Sequence, residues 1–538
     1  MTYDVIVIGG GAVGCATARE LSRYHLSTAV LEKNSDVAGE TTGRNSAVVH
    51  AGFNNRPGSL AAQLCVEGNR GFARLCRELD VPFRRTGKLL TAFDEEGVRS
   101  LEELMENGRA SGCRGLSLVD GETGQRLLRQ GGRDADHVKT GGAAADTADA
   151  GNVKAGSAAS VTSAGRNSAG AAASAPSSGE HSSGGWLKAL YSPQTGITNP
   201  FLYCVALAEN ALANGVKFFL ETTVTGISSG PGGFRLQTSR GAFSCRVLVN
   251  SAGLCADRIA AMAGVKDYRI YPCRGEYFIL DKTPLSMPVY PAPRKGEGGL
   301  GVHITPTIEG SVLLGPSAEY LDSRSDYACT RPVMDRLREQ AGQLLPALRE
   351  ARPIGNYSGI RPKLTPPQEG GCHDFVIRRE EAVPGLIDLV GIESPGLTAS
   401  APIGRKVAAM AREILAERYG REAPEKRDFI ARRRGILRFR EQTPEVQSRL
   451  VREDPEYGQL FCRCQHITKR EIREAIENPL GARTVAAVKY RAWATTGRCA
   501  GGFCLPRIAA LMIREYGMKP EEIRYRERGS ELFTGRVK

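Results

Sequence analysis

The sequence predicts an α/β (α+β) protein: a parallel-sheet domain, an antiparallel-sheet domain interleaved with it, and a small helical domain near the C-terminal end. Three observations lead to this fold class. The chain opens with a strand, a glycine-rich turn, a helix and a second strand. Short strands separated by Pro and Gly dominate residues 268–320. Two close pairs of cysteines lie near the end of the chain.

The opening segment has the pattern of a complete β-α-β unit. An apolar run at residues 3–8 is long enough for one buried strand and too short for a helix. A G-x-G-x-x-G turn follows at residues 9–14, then a helical pattern at 16–24 and a second apolar run at 28–31. This order predicts a Rossmann-type unit rather than a glycine-rich surface turn.

The residue types within this unit point to dinucleotide binding. Gly9 allows a tight turn, Gly11 lets the backbone approach a pyrophosphate, and Gly14 lets the helix pack closely on the strand. The helix N-terminus faces the anion. Glu32 ends the second strand, where a carboxylate can accept a hydrogen bond from a ribose 2′-hydroxyl.

Length and composition narrow the class of protein. A chain of 538 residues predicts two or three domains with a large core. No apolar run reaches the 18 or more residues that a membrane span needs, and the first strand begins too early to leave room for a signal peptide. Fourteen cysteines, mostly unpaired in spacing, favour a reducing cytoplasm over a disulfide framework. The net charge of +13 favours anionic substrates. The sequence shows no basic stretch interleaved with aromatic residues, the pattern that would indicate nucleic-acid binding.

Hydrophobic patterns and turn residues predict the elements in the rest of the chain. Residues 39–53 are rich in small and hydroxyl side chains, which permit close approach to a flat ring system. Residues 251–256, a strand-to-helix junction at Gly253, suit a second close approach to the dinucleotide. Predicted helices lie at 60–79, 95–116, 201–214, 331–347 and 397–418, and predicted strands at 81–93, 216–220, 243–250, 277–280, 302–304, 312–314 and 386–390.

Residues 133–185 differ from the rest in composition. They are dominated by Ala, Gly, Ser and Asp and contain almost no large apolar residues. Such a segment cannot bury enough surface to offset its ordering entropy, so we expect a disordered, low-complexity insertion without a catalytic role.

Several segments together resemble a known family. The opening unit, GETTGRNSAVVHAGF (39–53), GIRP (359–362) and GIESPGLTASAPIG (391–404) resemble the FAD-dependent oxidoreductases built like D-amino-acid oxidase. RNSAVVHAGFNNRPGSLAAQLCVEGN, YPCRGEYFIL and GLGVHITPTIEGSVLLGPSAEY are similar to L-2-hydroxyglutarate dehydrogenases in particular. The resemblance covers about residues 1–415, apart from the insertion, and is more specific for fold and cofactor than for substrate.

The resemblance implies roles for particular residues. Those implied to hold the adenosine diphosphate half of FAD are Gly9, Gly11, Gly14 and Glu32. Those implied to lie along the cofactor or to approach the flavin are Thr42, Asn45, Ser46, Gly391, Gly396, Leu397 and Thr398. It also implies that His50 and His303 lie near the isoalloxazine and that Arg361 faces the substrate anion.

The chemistry supports the histidines independently. Oxidation of a hydroxy acid needs a hydride acceptor and a base for the hydroxyl proton, and histidine titrates in the right range. Of seven histidines, His50 and His303 lie in apolar, small-residue surroundings that His25, His373 and His466 do not share. The alternative for each is a buried structural histidine.

A substrate anion favours arginine, whose planar fork binds a carboxylate or a phosphate. Arg361, fixed by the proline that follows it, is the first candidate, and Arg274, beside a glycine, is a second clamp. The alternative for both is an ordinary ion pair.

The C-terminal cysteines predict a metal site. Cys462 and Cys464 form C-x-C, and Cys499 and Cys504 form C-x4-C in a glycine-rich loop. Four thiolates in two close pairs can hold an iron–sulfur cluster or zinc, and free thiols are a third possibility. The short first spacing and the backbone N–H groups of the second loop favour iron and sulfide. The pattern resembles the bacterioferritin-associated-ferredoxin-like [2Fe-2S] domain, which is also appended to the large subunit of anaerobic glycerol-3-phosphate dehydrogenases.

These segments give the following expected division of the chain. An FAD-dependent oxidoreductase domain spans 1–415, with FAD-binding parts near 1–80, 190–265 and 355–415 and substrate-domain parts near 81–132 and 266–354. A linker at 416–455, the [2Fe-2S] domain at 456–525 and a tail at 526–538 follow.

The expected function is a cytoplasmic FAD-dependent dehydrogenase of a small anionic 2-hydroxy acid such as L-2-hydroxyglutarate. Its electrons would leave through the [2Fe-2S] centre to an acceptor protein or partner subunit. Glycerol 3-phosphate is the alternative substrate, and a redox-sensing module that binds zinc and nucleic acid is the alternative from another class. We expect no nucleic acid partner, and any membrane association to be peripheral and through a partner.

Overall fold

The helices of the computed structural model follow the hydrophobic periodicity of the sequence. The structure describes residues 2–131, 185–281, 283–294 and 301–535, so the expected insertion, apart from Gly185, lies outside the described residues. The helices are α1 (Ala12–Leu21), α2 (Leu60–Leu79), α3 (Glu95–Ala110), α4 (Gly121–Gln130), α5 (Pro200–Ala213), α6 (Ala256–Ala263), α7 (Arg331–Leu344), α8 (Gly396–Tyr419), α9 (Pro444–Glu453), α10 (Lys469–Ile476), α11 (Val485–Ala492) and α12 (Cys504–Tyr516). None of these described helices is both long and apolar enough to cross a bilayer.

The strands of the described residues fall into two large sheets and two small ones. The strands are β1 (Thr2–Ile8), β2 (Thr28–Leu31), β3 (Val48–Val49), β4 (Phe83–Arg85), β5 (Leu89–Ala92), β6 (Ser117–Asp120), β7 (Lys188–Tyr191), β8 (Gly196–Thr198), β9 (Lys217–Phe219), β10 (Val224–Gly230), β11 (Gly233–Thr238), β12 (Gly241–Asn250), β13 (Tyr271–Leu280), β14 (Val289–Pro291), β15 (His303–Pro306), β16 (Val312–Gly315), β17 (Glu319–Tyr320), β18 (Pro353–Lys363), β19 (Val376–Arg379), β20 (Leu386–Val390), β21 (Leu460–Cys462) and β22 (Ile467–Thr468).

The first large sheet carries the opening β-α-β unit. Its path is β10-β11-β12-β1-β2-β9, and β20 joins β12 and β19. The pairings β12–β1, β1–β2, β2–β9 and β12–β20 are parallel. Strand β1 is buried along almost its whole length, as a strand covered on both faces must be. Helix α1 begins four residues after β1 ends, so its N-terminus lies at the carboxyl end of that strand, and the helix packs against α5 and α8.

The second large sheet is built from the middle of the chain. Its path is β17-β13-β16-β15-β14-β5-β7-β6, with β18 along β13. Every pairing is antiparallel except that of β14 with β5. The small β3-β8-β4 sheet carries the strand that leads to His50. The predicted α/β class, with a parallel and an antiparallel sheet, is confirmed.

Some expected elements differ in their bounds. The strand expected at 81–93 is two strands, β4 and β5, because the chain turns between them at Gly87, whose φ is +72°. The helix expected at 95–116 ends at Ala110, and β6 begins shortly afterwards. The strand expected at 277–280 begins six residues earlier, at Tyr271, and pairs along its length with β18, which the pattern did not reveal.

The C-terminal part forms its own apolar core and also contacts the first domain. Helices α10, α11 and α12 bury Ile472, Val488, Ile508 and Met512 together. Residues 420–443 run from the end of α8 back across α1 and α5. There the carbonyl oxygen of Ile430 accepts hydrogen bonds from the side chains of Asn210 and Asn214. This part of the segment expected to be a linker is therefore held against α1 and α5.

Candidate active site and cluster site

The glycine-rich turn has the shape that a dinucleotide needs. Gly9 has a φ of +108°, and a Cβ there would lie 2.4 Å from the carbonyl oxygen of Ser251. A Cβ on Gly14 would lie 2.0 Å from the carbonyl oxygen of Gly9, so helix and strand could not pack as closely. At the turn the amide of Ala12 donates to the hydroxyl of Thr42, 3.0 Å away. The positive end of α1 therefore faces the cleft beside it.

The carboxylate of Glu32 holds this turn by hydrogen bonds to backbone amides. Its Oε2 accepts a hydrogen bond of 2.6 Å from the amide of Gly10, and its Oε1 accepts one of 2.8 Å from the amide of Asn34. Burial raises the pKa of this carboxyl, although both amide hydrogen bonds act in the opposite direction. The carboxylate thus fixes the peptide between two of the motif glycines. Its contact with a ribose stays a prediction.

One cleft runs from the turn to the two histidines. Its walls include six of the residues that the sequence assigned to the cofactor and three assigned to the chemistry. These residues are Gly11, Thr42, Asn45, Ser46, Gly396, Leu397, His50, His303 and Arg361. Gly253, expected as a second close approach, also lies on the wall. Gly9, Gly14, Glu32, Gly391 and Thr398 lie behind the lining, where they shape or support it.

His50 follows β3 and is held from two sides. Its amide donates to Oγ1 of Thr398, 3.0 Å away, and its Nε2 lies 3.3 Å from Oγ of Ser394. Its Nδ1 is buried and has no hydrogen-bond partner within the described residues. Burial lowers the pKa of this imidazole well below its usual value, and nearby Lys88 and His303 lower it further.

His303 opens β15 and packs flat on Tyr290, with ring centroids 3.8 Å apart. Its Nδ1 lies 3.0 Å from the carbonyl oxygen of Gly301, which can only accept, so Nδ1 carries the proton and Nε2 is the free acceptor. Burial lowers the pKa of His303 to about 3, with smaller contributions from Lys88 and Arg361 in the same direction. Both imidazoles are therefore neutral near pH 7.

Arg361 lies on β18 with its guanidinium in the cleft. Its Nη2 donates to the carbonyl oxygen of Ser317 at 3.0 Å, and its Nη1 lies 3.4 Å from the sulfur of Cys273. A Cβ on Gly275 would lie 2.8 Å from Nη2, so this glycine makes room for the arginine. Across the part of the chain that the structure describes, Arg361 has no salt bridge with a carboxylate. Its charge is available to an anion in the cleft.

Arg274 does not join this group. It precedes Gly275 on β13, on the face opposite to Cys273, and its side chain is nearly buried. Its guanidinium forms ion pairs with Glu276, Glu319 and Asp326 at 3.3, 2.6 and 2.9 Å. Three carboxylates therefore occupy the fork that the sequence assigned to the substrate, and the second-clamp interpretation is not supported by the geometry.

Four polar residues around the cleft were not predicted from the sequence. Lys363 and Glu393 form a buried ion pair of 3.2 Å on its wall. Lys363 lies two residues after Arg361 on the same strand, so strand alternation could have found it. Tyr290 and Lys88 are far from the motifs in sequence, and no local signal marks them.

The four C-terminal cysteines come together in space. The sulfurs of Cys462 and Cys464 are 3.7 Å apart, and those of Cys464 and Cys499 are 3.6 Å apart. A hydrogen bond from Cys462 lowers the pKa of the Cys504 thiol to about 7. The pKa of Cys499 is lowered by backbone N–H groups of Gly501 and Phe503.

Several residues around these sulfurs have a left-handed backbone conformation. Three non-glycine residues next to the cysteines, His466, Thr495 and Ala500, have φ between +48° and +66°. Such left-handed residues turn successive amides toward one point, which makes a concave site for anionic sulfur. Thiolates surrounded by N–H donors fit an iron–sulfur cluster, whose potential depends on such hydrogen bonds.

Two family models match the chain. The FAD dependent oxidoreductase model matches residues 4–150 and 122–410. The BFD-like [2Fe-2S] binding domain model matches residues 460–514, which contain all four cysteines. These matches support an enzyme and an iron–sulfur cluster over the alternative of a zinc-bearing binding module.

Two curated relatives show how far the similarity extends. A glycerol 3-phosphate dehydrogenase of Caloramator mitchellensis is 34% identical over 539 residues, which cover 100% of this chain and 99% of the relative. The mitochondrial L-2-hydroxyglutarate dehydrogenase of Arabidopsis thaliana is 30% identical over 454 residues, covering 75% of this chain and 82% of the relative.

Solved structures share the fold. The dithionite-reduced L-α-glycerophosphate oxidase of Mycoplasma pneumoniae with FAD bound superposes with a TM-score of 0.64 at 24% identity, covering 80% of this chain and 98% of that one. Glycine oxidase of Geobacillus kaustophilus gives 0.60 at 20% identity, covering 77% and 95%. The fold and the glycine-rich turn agree with the oxidoreductase model, and the four cysteines agree with the [2Fe-2S] model. The chain therefore belongs to the FAD-dependent oxidoreductase family, carries a BFD-like [2Fe-2S] binding domain, and has FAD and a [2Fe-2S] cluster as its cofactors.

Proposed function

We propose that the protein oxidises the secondary alcohol of glycerol 3-phosphate to a ketone and passes the electrons through its [2Fe-2S] centre to an acceptor protein. The observation that carries this proposal is the meeting of two neutral imidazoles, His50 and His303, with the guanidinium of Arg361, which has no salt bridge within the described residues, in one cleft with the dinucleotide turn. The relative that matches the whole chain, with both domains, is named a glycerol 3-phosphate dehydrogenase.

The residues divide the chemistry between them. An alcohol loses a hydride from carbon and a proton from oxygen. The free Nε2 of His303, or the unpartnered Nδ1 of His50, accepts that proton. Arg361 anchors the substrate anion and so fixes which carbon faces the ring system. When bound, FAD supplies the hydride acceptor and can release the two electrons one at a time.

The ion pair of Lys363 with Glu393 contributes to selectivity in this proposal. Lys363 Nζ also lies 2.5 Å from the carbonyl oxygen of Gly371, so its charge is largely satisfied. Burial alone would lower the pKa of this amine, but Glu393 more than offsets that effect and keeps it charged. Glu393 repels any anion in the cleft, but a dianionic phosphate would gain more than a single carboxylate from having Lys363 as a second cation beside Arg361.

L-2-Hydroxyglutarate is the second candidate substrate. Its support is the similarity to L-2-hydroxyglutarate dehydrogenases, which covers 75–76% of this chain rather than the whole of it. Both compounds present an anionic group and a secondary alcohol, so the same proton acceptor and the same arginine would serve.

The proposed electron exit lies at Cys499, the exposed member of the cysteine set. Arg463 and Arg498 are also exposed beside it, and the guanidinium of Arg463 lies over the ring of Phe503 at 4.4 Å. Within the described residues neither arginine forms a salt bridge, as their absence from the ion pairs of this domain shows. An acidic electron-carrier protein fits this basic edge by charge complementarity.

A substrate panel tests the function. Flavin bleaching would be followed under anaerobic conditions with glycerol 3-phosphate, L-2-hydroxyglutarate and their enantiomers, and turnover with an artificial acceptor. We expect glycerol 3-phosphate to give the highest kcat/KM. Preference for L-2-hydroxyglutarate would favour the second candidate, and bleaching by neither would refute both.

A further inference from the structure

A lysine that none of the sequence motifs singled out lies beside the two histidines. Lys88 immediately precedes β5, and its backbone is fixed by reciprocal hydrogen bonds with Ser192 of 3.0 and 2.9 Å. The residue is 0% exposed. Its Nζ has no hydrogen-bond partner within the described part of the chain. A buried ammonium without a hydrogen bond is costly, so a residue placed in this way calls for an explanation.

Two aromatic rings, rather than a carboxylate, lie next to the ammonium group of Lys88. The Nζ of Lys88 lies 4.6 Å from the ring centroid of Phe53 and 4.4 Å from that of Tyr290. Ring faces carry partial negative charge and stabilise a cation without neutralising it. The positive charge is therefore held in place, yet its field still acts on its surroundings.

The histidines lie within that field. Tyr290, one of the two rings over Lys88, stacks on His303 at a centroid distance of 3.8 Å. Lys88 lowers the pKa of both His50 and His303, after the larger effect of burial. The titratable and charged groups around this cluster are Cys65, Cys113, Tyr277, Tyr290, His50, His303 and Arg361. None of these is a carboxylate, so nothing among them favours an imidazolium.

We propose that Lys88 is a positioning residue that carries the buried positive charge of this wall and thereby keeps His50 and His303 unprotonated, ready to accept the substrate's hydroxyl proton. This inference rests on the proposed role of the histidines. Burial lowers the pKa of Lys88 to about 7, so its charge appears as the pH falls into the range where free imidazoles begin to protonate. The lysine and the histidines compete for one buried charge, and the aromatic rings favour the lysine.

The pH profile separates this role from a structural one. Lys88→Met keeps the length and the apolar stem of the side chain but removes the charge, and Lys88→Arg keeps the charge. The acid limb of single-turnover flavin bleaching should move up by about half to one pH unit in Lys88→Met and stay near its wild-type position in Lys88→Arg. Lys217→Met, an exposed lysine on β9, is the matched control and should leave the limb unchanged.

Histidine NMR tests the same idea without substrate. With seven histidines in the chain, labelled imidazole signals can be followed from pH 5 to 8. Two signals should stay neutral down to pH 5 in the wild type, and their midpoints, followed to lower pH, should move up by about half to one unit in Lys88→Met. If Lys88→Met does not retain flavin, Phe53→Leu, which removes one ring from the ammonium, should produce a smaller shift in the same direction.

Three results would overturn the proposal. These are an unmoved acid limb in a flavin-loaded Lys88→Met, equal shifts in Lys88→Met and Lys88→Arg, and wild-type histidines that all titrate near 6.5. Failure of the proposed substrate would look different, because the NMR titration would then be as described while neither compound bleached the flavin.

Discussion

Arg491 on α11 forms a buried ion pair with Asp36, which follows the second strand of the opening β-α-β unit. The Nη2 of the arginine lies 3.1 Å from Oδ1 of the aspartate, and its Nε lies 3.4 Å from Oε1 of Glu209 on α5. Only 1% of the arginine side chain is exposed. Next to it, Tyr490 stacks on Phe201 with ring centroids 4.0 Å apart. These contacts join the cysteine-bearing domain to the dinucleotide domain.

Arg491→Met should loosen this junction. The change leaves Asp36 buried without its cation, which for a buried pair costs about 3–5 kcal/mol. We expect a lower melting temperature, unchanged flavin bleaching by substrate, and slower turnover with an acceptor that takes electrons from the cluster. Arg470→Met is the control, because its 3.0 Å pair with Glu474 lies on the surface of the same domain. Equal effects of the two changes would contradict a special role for the junction.

Arg361→Lys should lower kcat/KM about 10- to 1000-fold, because a charge-assisted pair of roughly 1.5–4 kcal/mol loses its planar fork. FAD content should be unaffected. Arg274→Lys provides the comparison, since its three carboxylate partners should make that change affect stability more than kcat/KM. Steady-state kinetics and thermal melts on both variants give the answer. Unchanged kinetics in Arg361→Lys with every candidate substrate would remove it from the site.

The parts of the site that depend on local sequence were predictable. The motif glycines and Glu32 act within one β-α-β unit, and the cysteine pairs act within two short loops. Glu32 illustrates the limit of such reasoning, because in the structure its carboxylate accepts from Gly10 and Asn34. The motif indicated where the acid lies but not which amides it holds.

The parts that depend on strand register were not predictable. Only residues 277–280 showed a clear strand pattern, whereas β13 begins at Tyr271. With the full strand, alternation puts Arg274 and Cys273 on opposite faces, and Cys273 is opposite Arg361 in the ladder. Lys88 and Tyr290 meet through the parallel pairing of β5 and β14, elements far apart in the chain. No periodicity encodes that pairing.

Acid should destabilise the protein partly through His303. Its folded pKa, about 3, lies below the unfolded value of 6.5, so the unfolded chain binds more protons as the pH falls. The stability that this neutral histidine contributes is complete above pH 6.5 and is lost as the pH drops toward 3. At pH 5.5 the loss is on the order of 1 kcal/mol for one such group. Urea unfolding at pH 7.5 and 5.5 should show this difference in the wild type and a smaller one in His303→Gln.

Replacing a cysteine of the C-terminal set should separate the two redox centres. Cys499→Ser or Cys504→Ser removes one of four sulfurs that lie together, so iron and sulfide content should fall while FAD stays bound in its own domain. Substrate should still bleach the flavin in a single turnover, because His50, His303 and Arg361 lie in the cleft of the other domain. Turnover with a protein acceptor should collapse, whereas a small dye that reaches the flavin directly should still be reduced. Cys113→Ser, a cysteine outside the set, should retain both centres. Zinc instead of iron in the wild type, or full activity of the serine variants with the protein acceptor, would end the electron-relay interpretation.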